Sequence, residues 1–297
     1  MYVRSIALVV LALSAGFAEP VHGQSAEEQA ARQAEQQRAF EREMAAERPM
    51  AGINSVWLED LTWMEIRDAL AEGTTTVIVS TGGIEQNGPY LAMGKHNTIL
   101  TGACEGIARK LGNALCAPII KLVPEGNIEV PSGHMRYSGT ISVREETFQA
   151  MLTDVVMSLA AHGFTDIVLI GDSGGNQNGM RTVAEALNAR WTDTRAHFIA
   201  EYYQSYFDTF EFLEEELGVK EPMSEGIHDD IVVTTQMMTQ DLESVRYEQR
   251  LAAGNASING VSIADLHQAR MIGNAILQFR VDATVDAIHT AIGAAGR

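Results

Sequence analysis

Val77-Ile78-Val79, followed two residues later by Gly82-Gly83-Ile84-Glu85-Gln86-Asn87-Gly88-Pro89-Tyr90-Leu91-Ala92-Met93-Gly94-Lys95-His96-Asn97, is the stretch that decides the fold. The apolar, β-branched run reads as a buried strand, and the pattern from Asn97 or Thr98 to about Leu111 reads as the helix after it. Between them lies a long polar loop at the carboxyl end of the strand, where open α/β sheets bind ligands. A carboxylate, an imidazole, amides and four glycines within sixteen positions exceed what a connector needs, since most such connectors run about 2–6 residues.

The same order recurs outward from this stretch. Before it, Thr62 and Glu65 form a capping-box pattern for a helix over Leu61–Glu72, closed by Gly73. After it comes an apolar run, Ala114–Val123, then a second polar loop from Pro124 to Thr140 that carries His134, Arg136 and Tyr137. Ser142 with Glu145 predicts a capped helix to about His162, and Ile167–Ile170 reads as another buried strand. A third loop, Gly171-Asp172-Ser173-Gly174-Gly175-Asn176-Gln177-Asn178-Gly179, leads into a helix to about Trp191. A strand over Ala196–Tyr202, acidic helical sequence to Leu217 and a fourth polar cluster, Glu225-Gly226-Ile227-His228-Asp229-Asp230, follow. The tail predicts a loop over Gly254–Gly260 and a long helix over Ile263–Ile292. Strand, polar loop and helix repeated in this order predict an α/β fold whose parallel sheet is covered on both faces.

Composition bounds the function. The chain has 297 residues, 21 Lys and Arg against 39 Asp and Glu, and a formal net charge of -18, so nucleic acid is repelled. Residues 1–23 have the anatomy of a secretory signal, with Arg4 as the basic end, an apolar stretch Ile6–Ala18, and small residues at Ala18 or Gly23 for cleavage. We therefore expect an exported protein, periplasmic or secreted, with no integral membrane segment once the signal is cleaved. Residues 24–50 predict a polar helical arm without an apolar stripe, and residues 51–297 the α/β domain with its C-terminal helical segment. Cys104 and Cys116 fit a pair or two buried small hydrophobes; we expect buried thiols.

If the loops converge, Glu85, His96, Asp172, His228, Asp229 and Asp230 share one site. Such carboxylates and imidazoles bind Zn2+ or Mn2+, which activates water or polarises an amide carbonyl. Competing structural readings exist: Glu85 as a turn brace, and Asp172, Asp229 or Asp230 as helix caps. His162 and His197 read as structural, whereas His134 has the better claim to a site because Arg136 and Tyr137 lie beside it.

Together, Gly83-x-Glu85-Gln86-x-Gly88-Pro89, Ser138-Gly139-Thr140-Ile141-Ser142, Gly163-Phe164, Gly174-Gly175-Asn176, and His228 followed by Thr234-Thr235 resemble the creatininase (creatinine amidohydrolase) family from about Val56 to Met238. The resemblance implies a three-layer α/β/α sandwich with a mostly parallel central sheet, a homo-oligomer, and metal-dependent hydrolysis of an amide or lactam C–N bond in a small molecule. It makes Glu85 the match of a metal-binding glutamate. Asn87 stands where the family has a metal-binding histidine, His96 where it has the bridging aspartate, Ser173 where it has another histidine, and Val233 where it has an acidic residue. The altered positions imply one ion rather than two, held by Glu85, His96 and Asp172. His228 and Asp230 are then expected to manage protons, and Asn87, Tyr90, His134, Arg136 and Ser173 to contact substrate. The alternative is a metal-free protein that binds a small ligand on the same fold.

Overall fold

The computed structural model describes residues 25–222 and 229–295. The chain divides into two compact units, Met1–Ala51 and Gly52–Arg297. In the first, α1 (Ala26–Ala45) is capped by Ser25 and Glu28 in a reciprocal capping box and buries none of its residues. Its stability rests on helix propensity and local pairs rather than on a core.

The second unit contains α2 (Trp63–Ala71), β1 (Thr76–Thr81), α3 (Lys95–Leu111), β2 (Ala114–Cys116), α4 (Glu145–Ala161), β3 (Asp166–Gly171), α5 (Gln177–Asn188), β4 (Arg195–Phe198) and α6 (Glu201–Leu217). Then follow α7 (Ile231–Gln240), α8 (Tyr247–Ala252), β5 (Ser257–Ile258), β6 (Val261–Ser262) and α9 (Leu266–Ala295). β2, β1, β3 and β4 form a parallel sheet in that order. Alternate side chains along β1 and β3 face opposite layers, as a pleated strand requires. Val77, Val79, Ile167 and Leu169 pack against α4 and α5, with Ile66 and Leu70 of α2 at the margin. Ile78, Val168 and Ile170 pack against α3, α6 and α9. The architecture is the three-layer α/β/α sandwich expected.

Several local expectations change. β2 ends at Cys116: Ala117 still donates to the Ile78 carbonyl, but the next bond to the Ser80 carbonyl comes from Ile120 rather than Ile119, with Gly82 donating back to Ile120, each at 2.9 Å, so one extra residue bulges the chain there. Ser142 does not cap α4: it accepts from the Glu125 N–H at 2.9 Å and donates to the Gly126 carbonyl at 2.8 Å, while Arg144 stands at the N-cap without a side-chain bond. The expected loop before the last helix contains a hairpin, β5–β6, turned by Asn259-Gly260 with φ of 49° and 86°. Two positive φ values are what a type I′ turn needs. Cys104 and Cys116 are not buried thiols but a disulfide that joins α3 to β2, with Cα atoms 6.1 Å apart. The stacking of α3 on β2 supplies that separation. Among the described residues no helix is long and apolar enough to cross a membrane.

Candidate active site

In the order β2-β1-β3-β4 the chain runs from β1 outward to β2 and then returns to the other side of β1, so the sheet reverses direction between β1 and β3. Open α/β sheets bind ligands at such a point, outside the carboxyl ends of the strands. Two buried asparagines hold the turn there. Asn97 donates to the Gly83 carbonyl at 2.9 Å and accepts from its N–H at 3.3 Å. Asn176 donates to the carbonyls of Thr81 and Gly82 and to the Thr81 hydroxyl, each at 2.9 Å. Glycine lets these two side chains close on the turn: a Cβ on Gly82 would lie 2.0 Å from Asn97 Oδ1, and one on Gly83 2.1 Å from Glu125 Oε1, so either would displace a polar partner of the site.

This turn delivers Glu85, 2% exposed, into a line of charge. Its Oε1 lies 3.1 Å from Lys95 Nζ and 2.7 Å from His96 Nε2, and its Oε2 lies 3.1 Å from His134 Nε2. The opposite ring nitrogen, His96 Nδ1, is 2.8 Å from Asp172 Oδ2. Asp172 Oδ1 accepts from Arg280 Nη2 at 2.8 Å. Arg280, fully buried, also donates to Ser205 Oγ, Gln236 Oε1 and the Tyr202 carbonyl, and its guanidinium lies 4.3 Å from the centre of the Tyr202 ring.

Electrostatics separates the carboxyl groups. Burial by itself raises Glu85, but the His96 hydrogen bond and the Lys95 charge outweigh it and hold the group well below the usual carboxylate range. Asp172 is likewise raised by burial and then held at about 2 by Arg280 and His96. Glu125, hydrogen-bonded to Glu85, is pushed up to about 9 by burial and by the Glu85 charge. A neutral Glu125 therefore donates to an ionised Glu85. Carboxylates only accept, and both ring nitrogens of His96 are committed to carboxylate oxygens at 2.7 and 2.8 Å.

Of the residues singled out in the sequence, Glu85, His96, Asp172 and His134 are brought together. Asn87 braces its own loop, donating to the carbonyls of Glu85 and Ala92 at 2.9 and 3.1 Å. Tyr90 stacks under Arg250, 4.2 Å from the ring centre. Ser173 accepts from the Gly175 N–H, and Arg136 is exposed. Asp230 adopts the capping reading: Oδ1 accepts from the Val233 N–H at 2.7 Å, and Oδ2 accepts from the Tyr206 hydroxyl at 2.6 Å. His228 lies outside the described residues. Lys95, Glu125 and Arg280 were not anticipated. The first two lay in loops already read as site-like, but α3 begins at Lys95 rather than Asn97, which puts Lys95 and His96 together on its first turn. Arg280 had a signal: it interrupts the buried series Ile272, Ile276, Arg280, Thr284, Ile288, spaced four apart along α9.

The donors do not fit a resident divalent ion. A metal needs a histidine nitrogen that is free to face it, yet both His96 nitrogens face carboxylate oxygens, and Glu85 Oε1 already faces the Lys95 ammonium. Among the described residues no group of three or more His, Cys, Asp or Glu side chains is arranged to hold a metal.

Comparison with known proteins bears on this geometry. The sequence model of the Creatininase family, described as creatinine amidohydrolase, matches residues 59–285. The chain is similar to the creatinine amidohydrolase of Pseudomonas putida, 24% identical over 172 residues, which are 58% of this chain and 64% of that protein. It is also similar to the mycofactocin precursor peptide peptidase of Mycobacterium ulcerans (strain Agy99), 26% identical over 120 residues, 40% of this chain and 48% of the peptidase. The matches thus span less than two thirds of either relative. A crystal structure of creatinine amidohydrolase (creatininase) superposes with a TM-score of 0.60 at 21% identity, covering 80% of this chain and 98% of the other, and related creatininase structures are described as Zn-Zn and Mn forms. The family model covers more than half of the chain, the sheet and its layers match, and Glu85 stands at the carboxyl end of β1: the chain belongs to the creatinine amidohydrolase family.

Proposed function

We propose that the protein hydrolyses a C–N bond, of an amide or a lactam, in a small molecule bound at the carboxyl ends of β1 and β3. The observation that carries this reading is the Glu85–Glu125 carboxyl pair with His134 against it, standing at the sheet's switch point in a family named for amide hydrolysis. His134 is the most exposed member of the cluster, with 27% of its side chain accessible, and Glu85 orients it. It takes a proton from water as the water oxygen bonds to the substrate carbonyl carbon; Glu125 is the protonated group that supplies the departing nitrogen as the C–N bond breaks. Asp172 and Arg280 act behind His96 and keep the Glu85 carboxylate in place.

Assays of amine release on a panel of amides and lactams test this. Wild-type turnover is expected, with Glu85→Ala and His134→Ala each slower by about 10²–10⁴-fold, the usual contribution of general acid–base groups. The second reading, a small-ligand-binding protein without turnover, is favoured by one observation: Lys95, His96, His134 and Glu125 all engage Glu85 from within the chain. Ligand binding without amine release would select it. We place the mature protein in an oxidising, extracytoplasmic compartment, a reading supported by the Cys104–Cys116 disulfide, and as a homo-oligomer, checked by size-exclusion chromatography with light scattering.

A further inference from the structure

We infer that Lys95, with His96 and Arg280 behind it, takes over the place of a divalent ion at Glu85, so that this family member holds no metal there and its site is assembled by internal cations. The inference concerns how the site is built and stands apart from the reaction proposed above.

Four observations carry it. Lys95 is 2% exposed, and a lysine that deep in a domain needs a partner; Glu85 Oε1 at 3.1 Å is that partner. A zinc ion bound to the same oxygen would sit about 2.0–2.2 Å from it, crowded by Lys95 Nζ and His96 Nε2 and against the lysine's positive charge. Asp172 is equally committed, with one oxygen on His96 and the other on Arg280. The positions at which the family resemblance implies ligands have also been rebuilt into local structure rather than merely emptied. Asn87 ties down its loop, Ser173 caps the turn into α5, and Val233 is buried in α7. Lys95, His96, His134 and Arg280 between them already face all four carboxylate oxygens of Glu85 and Asp172.

The test uses the full mature chain. Purified protein is incubated with Zn2+ or Mn2+, desalted and assayed for bound metal, and its Tm is followed with metal and with chelator; Glu85→Gln and Lys95→Met are treated alongside. We expect no stoichiometric metal on the wild type and no Tm change with either treatment. We expect Lys95→Met to lower Tm by about 10 °C, because it leaves Glu85 buried without its ammonium. Metal retained by both the wild type and Glu85→Gln lies elsewhere and supports the inference equally. One equivalent retained by the wild type and lost in Glu85→Gln overturns it, and so does a Lys95→Met protein as stable as the wild type. If Lys95→Met does not fold, the wild-type and Glu85→Gln metal counts still decide. Metal content and Tm are independent of amide turnover, so this inference and the proposed reaction fail separately.

Discussion

Two histidine–aspartate pairs flank the same strand, β3, at opposite ends. At the amino end His197 Nε2 meets Asp166 Oδ1 at 2.8 Å; just beyond the carboxyl end His96 Nδ1 meets Asp172 Oδ2 at the same distance. The pair geometry is alike, and the surroundings are not. The Asp166 side chain is 20% exposed, and its pKa is lowered chiefly by the His197 hydrogen bond against only partial burial. Asp172 is 7% exposed and continues into Arg280 on one side and, through His96, into Glu85, Lys95, His134 and Glu125 on the other. A His–Asp contact is therefore no sign of function by itself. What distinguishes the carboxyl end is the number of ionisable groups forced out of water together, at the sheet edge where loops converge on ligands.

The largest effect should come from cutting the carboxyl-end chain at its root. Arg280→Leu leaves Asp172 buried without its guanidinium and should cost about 3–5 kcal/mol in urea denaturation. A loss no larger than that of an exposed pair would erase the distinction drawn here.

Next in size is a pH effect above pH 4.5 that Glu125 gives the carboxyl end and that the Asp166 pair at the amino end lacks. Glu125 has a folded value of about 9 against an ordinary 4.5, so between those values the folded chain holds a proton that the unfolded chain has released. Its stabilisation is complete below pH 4.5 and is lost as pH rises towards 9. Glu125→Gln keeps a donor to Glu85 and should flatten that slope in denaturation curves taken from pH 5 to 9; an unchanged slope would mean the carboxyl pair does not share a proton. Asp166 has the opposite sign. Its lowered value gives stability that is present above pH 3.8 and is lost on acidification.

The smallest effect belongs to the amino end. Asp166→Asn, which keeps an acceptor for His197, should change stability at neutral pH by about 1 kcal/mol, the worth of one hydrogen bond, and should leave amide turnover unchanged. A large loss of turnover would make the two ends functionally alike.

Much of this was legible before any coordinates. Thr62 and Glu65 do form the capping box of α2, and the strand β1 with its polar loop and Glu85 stands where periodicity put it. Local rules failed where a side chain had a better distant use. Ser142 has the spacing of a helix cap, yet its hydroxyl holds the Glu125 loop. Asn259-Gly260 carries a hairpin-turn signal that a loop over Gly254–Gly260 leaves unused, and the chain forms the β5–β6 hairpin there. His96 lies with Glu85 and Asp172, and both of its ring nitrogens face their carboxylates, a pairing that sequence spacing does not encode.

The sequence by itself determined the parallel α/β sandwich, because strand and helix periods and turn residues are local, and it determined which loops carry charge. Only the tertiary structure decided which charges answer one another. Arg280 lies 108 residues from Asp172, and His96 lies 76. No local spacing encodes such pairs; they follow from α9 packing against α3 and α6 beneath the ends of β1 and β3. The stacking of α3 on β2 likewise brings Cys104 onto Cys116. Whether a buried carboxylate meets a metal or an ammonium is set by what the folded chain places within about 3 Å of it, because only at that range in a water-poor interior is the cost of burying the charge offset.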